Sequence, residues 1–289
     1  MASQVAAAAP PKAYKFARVT AYDGGIGAFA TRDLKRGEVL LREAPIVQTT
    51  MERLEADVAA LDDRRRKQLF SLCDWRATAA GAPKTALGVF QANGYPAPFA
   101  GGGDGAAVFL AFSRFNHGCA PNVHHAWDPA RREKVVFAAR DVPRGAELLT
   151  NYVDPCAARA DRRAALEARF GFACACAVCG LADPAPSDAR RTALADLDAS
   201  IFAATRRGRY ADALRDAESR VALLRDEGLD SPANLVRTCH DAYQAATHGG
   251  MPDAARAWLA KVVAHSRDCE PPESAELARL TARLAALSQ

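Results

Sequence analysis

The feature that most constrains this chain is a run of three cysteines, Cys174, Cys176 and Cys179, in a Cys-x-Cys-x-x-Cys pattern. A helix or a strand would send sulfurs at this spacing in different directions, so the pattern indicates a loop folded around one metal ion. A structural zinc ion takes four ligands in a tetrahedron. A fourth ligand must therefore come from elsewhere, and Cys119 is the best candidate because the phrase around it, Asn-His-Gly-Cys-Ala-Pro-Asn, also carries chemical groups.

Composition bounds the class of protein. The chain has 289 residues, an apolar content of 49% and a net charge of +4, which is ordinary for a soluble globular protein and too mild to indicate nucleic-acid binding. Clustered cysteines predict a reduced, intracellular protein of the nucleus or the cytoplasm. No apolar stretch approaches the ~20 residues of a membrane span. We interpret the other four cysteines as small buried side chains: Cys73, Cys156, Cys239 and Cys269.

The two halves of the chain differ in their patterns. Up to about residue 155, short alternating runs separated by Gly and Pro predict strands, with a helical and Gly-rich insert at about 51–105. After Pro186 the sequence predicts only helices, at roughly 187–206, 209–227, 232–247, 252–268 and 273–287. These helices are similar to stacked tetratricopeptide pairs, although plain antiparallel helices fit the imperfect period equally well.

Four phrases in order, at residues 25–30, 116–122, 145–152 and 170–179, together resemble the SET-domain protein-lysine methyltransferases. The resemblance is greatest to the SMYD-like subgroup, which has a helical C-terminal extension, and to its plant relatives. It covers about residues 14–180 by motif and the remainder by helical character alone. SMYD proteins also insert a second zinc module, the MYND finger, after the first strands. Residues 45–110 hold one cysteine, Cys73, and no histidine, so we expect that module to be missing.

The resemblance implies an α+β fold, in which small SET-domain β-sheets surround a pseudoknot and a four-cysteine post-SET zinc site follows them. An all-α region similar to tetratricopeptide repeats completes the chain. We therefore expect four parts: a disordered leader at 1–13, a SET domain at 14–155, a zinc-binding segment at 156–183 and a helical domain at 187–289.

The resemblance also implies an activity, the transfer of a methyl group from S-adenosylmethionine to a lysine amine in a histone or another protein. Tyr152 matches the central catalytic tyrosine. Asn116 and His117 match residues that contact the cofactor's amino-acid portion and adenine. From the residues alone, Tyr152 as a packed aromatic side chain and His117 as a structural histidine remain alternatives.

Further cofactor contacts are implied at weaker matches. Gly24, Gly25 and Ile26 would offer backbone groups, although a plain tight turn fits them equally well. Phe172 matches the ring that packs on the adenine, and Asn93 begins a short matching Asn-Gly-aromatic phrase. Phe170 replaces a tyrosine that many relatives carry beside the lysine channel, which implies either room for a second or third methyl group or lower activity.

The expected partner is a protein substrate that presents a lysine, and we expect a monomer with a structural zinc ion and no direct contact with nucleic acid or membrane. The alternative function is a catalytically weak SET relative that acts as a protein-interaction module through its helical C-terminal region. Retention of Asn116, His117 and Tyr152 together favours the enzyme.

Overall fold

A computed structural model describes residues 12–19, 25–99 and 102–287. Within them the strands are β1 (Tyr14–Arg18), β2 (Ile26–Ala30), β3 (Val39–Glu43), β4 (Val47–Thr49), β5 (Gly94–Pro96), β6 (Ala106–Val108), β7 (Asn116–His117), β8 (Val123–Asp128), β9 (Glu133–Ala138) and β10 (Leu149–Thr150). The helices are α1 (Leu54–Ala59), α2 (Asp63–Phe70), α3 (Trp75–Ala80), α4 (Ala86–Asn93), α5 (Arg159–Phe170), α6 (Ala185–Arg206), α7 (Tyr210–Asp226), α8 (Pro232–His248), α9 (Pro252–Ser266) and α10 (Ala275–Ala286). Gly24 and most of the predicted leader lie outside the described residues.

The described strands form four small sheets, as expected for an α+β fold. Three of them are antiparallel, in the orders β1-β2, β3-β9-β8 and β4-β6-β5. The fourth pairs β7 with β10 in parallel, with Asn116 opposite Leu149 and His117 opposite Thr150. Parallel pairing requires a long connection, here the β8–β9 hairpin and the turn after it. This pair therefore brings two phrases that are distant in the sequence, Asn-His and Thr-Asn-Tyr, into direct contact.

The insert between β4 and β5 folds as four short helices, and side chains cap the starts of three of them. Asp62, Asp74 and Thr85 each accept a hydrogen bond from the backbone N–H three residues later, which satisfies a donor that the helix cannot. Asp74 also accepts from the backbone N–H of Thr85 at 3.0 Å. Because one carboxylate holds the starts of both α3 and α4, these two helices are fixed relative to each other.

The C-terminal region contains five helices, α6 to α10, and each begins and ends within two residues of its prediction. Gly208, Gly228 and Gly250 end three of the helical segments with positive φ angles of 71°, 64° and 65°, a conformation that favours glycine. The core of this region is rich in alanine, and Trp258 and Leu259 lie within it. No helix among the described residues is both long and apolar enough to cross a membrane.

Lys134 on β9 lies inside the β-rich core, with 2% of its surface exposed. Its Nζ atom is 4.5, 5.0 and 5.2 Å from the ring centroids of Tyr95, Phe109 and Phe112 and 3.3 Å from Nδ1 of His125. Burial lowers the pKa of Lys134 to about 7, because the charged form loses its water. The three aromatic faces oppose this loss in part.

We predict that Lys134 makes the stability of the protein depend on pH above neutrality. Its pKa is lower in the folded state, so the unfolded chain binds more protons between pH 7 and 10 and stability rises with pH across that window. At 1.36 kcal/mol per pKa unit, the free energy of unfolding should rise by about 2 to 4 kcal/mol. Chemical denaturation of Lys134→Met should lack this rise. The exposed Lys67→Met variant should keep it, and equal slopes in all three proteins would contradict the prediction.

Candidate functional site

Four cysteines meet in one cluster, as the sequence predicted. The Sγ atoms of Cys119, Cys174, Cys176 and Cys179 all lie within 4.8 Å of one another. Cys119 Sγ is 3.9 Å from that of Cys174 and 3.5 Å from that of Cys179. Zn–S bonds of about 2.3 Å in a tetrahedron put the sulfurs about 3.8 Å apart. The donor set, the spacing and the closed geometry therefore fit one structural zinc ion.

A buried arginine supports the cluster. Arg162 of α5 is 1% exposed, and it donates hydrogen bonds from Nε to Cys119 Sγ at 3.2 Å and from Nη2 to Cys179 Sγ at 3.9 Å. Four thiolates around a divalent ion carry a net negative charge, which a fixed guanidinium offsets. Hydrogen bonds of this kind orient metal ligands and tune their basicity.

His117 connects the cluster to the rest of the site. Its Nδ1 accepts a hydrogen bond from the backbone N–H of Tyr152 at 3.0 Å, so the neutral ring carries its proton on Nε2. That nitrogen is 3.3 Å from Cys119 Sγ and donates to it. Burial lowers the pKa of His117 to about 4, which keeps the ring neutral at physiological pH. The imidazole is thus held at both nitrogens.

A second arginine joins the helical region to the cluster. Arg191 of α6 is fully buried and donates to the backbone oxygens of Cys119, at 3.2 Å, and Pro155. It also pairs with Glu227, which follows α7, at 2.9 Å. Because a buried charge is costly without partners, this set fixes the docking of α6 and α7 against the cysteine cluster.

A cavity of about 380 Å³ opens beside His117. The predicted catalytic and cofactor-binding residues within the described chain all line it: Gly25, Ile26, Asn93, Asn116, His117, Tyr152, Phe170 and Phe172. They come from β2, α4, β7, the segment after β10 and the end of α5, so tertiary packing alone assembles them. Their individual roles stay predictions. Gly24 is not among the described residues.

Tyr152 lies at the centre of the aromatic part of this cavity. Its hydroxyl donates a hydrogen bond to the backbone oxygen of Phe115 at 2.8 Å. Its ring centroid is 4.9 Å from that of Phe170 and 5.5 Å from that of His117. Phe172 contacts His117 too, with centroids 6.3 Å apart. Since the Tyr152 hydroxyl donates its proton to the backbone, its oxygen can act as an acceptor toward a ligand.

Two asparagines that line the cavity are anchored by hydrogen bonds. Asn116 Nδ2 donates to Glu147 at 2.7 Å and contacts the backbone oxygen of Ile26 at 3.4 Å. Asn93 Nδ2 donates to the backbone oxygens of Cys73 and Val89 at 2.8 and 2.7 Å. The amide of Asn93 therefore braces the end of α4, in addition to lining the cavity.

Sequence reasoning missed part of the cavity wall. Ser71, Leu72, Cys73, Trp75, Lys84, Ala92, Tyr95, Ser113 and Arg114 also line it. The interpretation of Cys73 as a buried hydrophobic side chain is wrong, because this cysteine is exposed at the cavity, whereas Cys239 and Cys269 are buried. Most of these residues belong to the insert, whose packing no local pattern reveals. Ser113 was detectable, since it lies three residues before Asn116.

Two features of the wall favour a polar ligand with negative groups. The Oγ atom of Ser113 is buried and has no hydrogen-bond partner among the described residues, which is unusual for a native hydroxyl. Lys84 and Arg114 line the cavity, and none of the described lining residues is a carboxylate. Lys84 Nζ is held by the backbone oxygen of Phe70 at 3.1 Å, and Arg114 by Ser71 Oγ at 3.2 Å.

Comparison with known proteins identifies a domain that includes most residues of the cavity. Residues 25–153 match the model of the SET domain. The chain is 30% identical over 220 residues to histone-lysine N-methyltransferase set5 of Schizosaccharomyces pombe, an alignment that covers 73% of this chain and 66% of that protein. It is 34% identical over 96 residues to the SET domain-containing protein SmydA-8 of Drosophila melanogaster, an alignment that covers 32% of this chain and 21% of that protein.

Among solved structures, the crystal structure of the SET domain of LSMT bound to lysine and AdoHcy aligns with 97% of this chain and 88% of that chain, at a TM-score of 0.37 and 12% identity. The chain spans just under two thirds of the yeast relative and about a fifth of the Drosophila one.

We predict that the purified protein contains about one zinc ion per chain and that Cys119→Ser loses it, because three thiolates leave the tetrahedron open. Elemental analysis after gel filtration measures this. Cys176→Ser, at a less buried position, provides a second test should the first variant fold poorly. Cys156→Ser lies outside the cluster and should keep the metal. An undiminished zinc content in both ligand variants would contradict the assignment.

Proposed function

Because residues 25–153 of this chain are a SET domain, we propose that the chain is an S-adenosylmethionine-dependent protein-lysine N-methyltransferase that acts on histone or other protein lysines. The observation that carries the proposal is the convergence of Asn116, His117, Tyr152 and Phe172 on one cavity. The relative from Schizosaccharomyces pombe is named a histone-lysine N-methyltransferase, which agrees with this function.

The cavity has groups that fit the cofactor. S-adenosylmethionine, when bound, supplies an electrophilic methyl group on a sulfonium. Asn116 and His117 would contact its amino-acid portion and adenine, and the flat ring of Phe172 would pack on the adenine. Gly25 and Ile26 line the same cavity, where their backbone groups would contact the cofactor. The orphaned hydroxyl of Ser113 would find its partner in a polar group of this ligand, which would remove the cost of burying it.

Tyr152 is the proposed catalytic residue. Its hydroxyl oxygen is held by the bond to Phe115 O, and its backbone N–H is held by His117. A phenol oxygen fixed in this way can accept a hydrogen bond from the substrate amine and stabilise the positive charge that moves during transfer. The remaining catalytic effect would come from alignment of the substrate amine with the methyl group of the cofactor, in a cavity that excludes water.

The amine must be neutral before it can attack, although a free lysine has a pKa of about 10.4. The aromatic wall formed by Tyr95, Tyr152 and Phe170 favours the neutral form by excluding water. Lys84 and Arg114, which line the same cavity, favour it too, because like charges repel the protonated amine. Both effects would lower the pKa of the bound lysine toward neutrality.

Phe170 bears on the number of methyl groups transferred. It packs beside Tyr152 without a hydroxyl of its own. A phenylalanine here cannot hydrogen-bond an amine or a water, so it would leave room for a methylated amine to rotate and react again. We propose that the product extends beyond monomethyl-lysine.

The domain organisation is proposed to follow the expected partition. A SET domain at 14–155 carries the helical insert at about 51–105, and a zinc-binding segment at 156–183 joins it to the helical domain at 187–289. The buried contacts of Arg191 with the backbone oxygens of Cys119 and Pro155 support a rigid junction between the SET domain and the helical domain. The proposed partner is a protein substrate that presents a lysine.

We predict that Tyr152→Phe lowers the rate of methyl transfer by about 100-fold or more, because the phenol oxygen contributes to the transition state. Cofactor affinity should change little, since the ring remains. Radiolabelled methyl transfer and isothermal titration measure the two quantities. Tyr243→Phe removes a buried hydroxyl from the helical region and should leave both unchanged. Full activity in Tyr152→Phe would contradict the assignment of Tyr152 as the catalytic residue. Cofactor binding without turnover in the wild-type protein would favour the alternative function, a protein-interaction module.

We predict that Ser113→Ala weakens cofactor binding by about two- to tenfold, the usual contribution of one hydrogen bond. The thermal stability of the free protein should not fall, because the hydroxyl has no partner to lose among the described residues. The exposed Ser219→Ala variant serves as the matched control. Unaltered cofactor affinity in Ser113→Ala would show that the hydroxyl does not face the ligand.

A further inference from the structure

A second, more open groove of about 550 Å³ adjoins the cavity. Both apolar and charged residues line it. The lining residues are Met51, Arg76, Phe90, Gln91, Gly94, Tyr95, Pro96, Asp104, Gly105, Ala106 and Arg169. All three residues of β5, an edge strand of the sheet β4-β6-β5, line the groove.

The groove and the cavity are the two sides of one wall. Tyr95 lines both. At two places in this wall consecutive residues face opposite sides: Trp75 lines the cavity and Arg76 the groove, and Phe170 lines the cavity and Arg169 the groove. A polypeptide in the groove could therefore pass one side chain beside Tyr95 toward Tyr152.

Packing holds the two arginines at this wall. The guanidinium of Arg76 lies 4.6 Å from the ring centroid of Trp75, and that of Arg169 lies 5.3 Å from the ring of Phe170. Trp75 Nε1 donates to the backbone oxygen of Arg169 at 2.8 Å, which joins α3 to the end of α5. Gly171, with φ of 71°, leaves room for the indole ring. Both arginines are therefore fixed near the point where the cavity meets the groove.

Charge is unbalanced around this entrance. The described residues that line the cavity and the groove include four cations, Lys84, Arg114, Arg76 and Arg169, and one carboxylate, Asp104. A substrate adds a lysine, so a segment rich in Arg and Lys would be repelled, whereas Asp or Glu beside the target would be attracted. Arginine suits this task, because its planar fork binds carboxylates with two parallel hydrogen bonds.

We propose that this groove binds the polypeptide that flanks the target lysine, and that Arg76 and Arg169 select acidic side chains next to it. The proposal rests on the proposed methyltransferase function and narrows its substrates to lysines in an acidic context. The apolar lining residues Met51, Phe90 and Pro96 would pack against the aliphatic stems of the flanking residues. Arg76 and Arg169 would be specificity-determining residues rather than catalytic ones.

Competing peptides of one length test the proposal. Each has a central lysine flanked by Glu, by Gln or by Arg, and kcat/KM for methyl transfer is measured at low and high salt. The wild-type protein should prefer the Glu-flanked peptide over the Gln-flanked one by about tenfold at low salt, with a larger factor over the Arg-flanked one. The preference should shrink at high salt, which screens exposed charges.

Variants connect the preference to the two arginines. The double variant R76Q/R169Q should bring the Glu-to-Gln ratio of kcat/KM close to one. R76E/R169E should favour the Arg-flanked peptide. Arg163→Gln removes an exposed arginine from the same helix as Arg169 but outside both cavities, and it should keep the wild-type ratio.

The outcomes separate this proposal from the proposed function. Efficient methylation with a preference for Arg-flanked peptides, or a Glu preference that survives R76Q/R169Q, would overturn the acidic selectivity and leave the methyltransferase intact. If no peptide is methylated, binding of the same labelled peptides is measured by fluorescence anisotropy. Tighter binding of the Glu-flanked peptide that is lost in R76Q/R169Q would support peptide binding in the groove. Equal binding of all three peptides would overturn the acidic selectivity.

Discussion

The meeting of four cysteine sulfurs around one point is the constraint on which the rest of the structure depends. Cys119 follows β7, whereas the other three cysteines lie after α5, so the cluster closes a long stretch of chain onto itself. Closing such a stretch is entropically costly, and a zinc ion bound by the four thiolates would offset that cost. The same sulfurs hold His117 through Nε2 and Arg162 through Nε. The cysteine cluster thereby orients His117, which lines the cavity.

The electrostatic design of the site follows from what surrounds it rather than from the overall charge. A net charge of +4 over 289 residues gives no indication of a charged site. Yet the described lining of the cavity and the adjoining groove contains four cations and one carboxylate. Such a field would serve two steps of the proposed reaction, because it favours a neutral substrate amine and an acidic flanking segment. Local charge therefore carries information about the substrate that composition averages away.

Sequence reasoning worked where a signal is local and failed where the fold brings distant residues together. Cysteine spacing and the Asn-His phrase predicted the four sulfurs of the cluster, and Gly and Pro breaks predicted all five C-terminal helices. The walls contributed by Trp75, Lys84 and Arg114 were not predicted, because they depend on how the insert packs against α5 and β7. The burial of Lys134 was not expected from its polarity. It is explained by three aromatic rings around its amine, and no sequence pattern predicts that these rings meet at Lys134.

Metal and cofactor should be thermodynamically coupled through His117 and Phe172. Cys119 accepts the hydrogen bond of His117 Nε2, and Phe172 lies two residues before Cys174, which would be a metal ligand. If the metal orders both rings, it lowers the ordering cost of cofactor binding, and by linkage the cofactor must tighten the metal to the same extent. The cysteine cluster would therefore affect cofactor affinity as well as folding. In a chain without zinc, His117 and Phe172 would be less ordered and the cofactor would bind more weakly. The coupling arises because the same short segment that supplies the thiolates also supplies the aromatic side of the cavity.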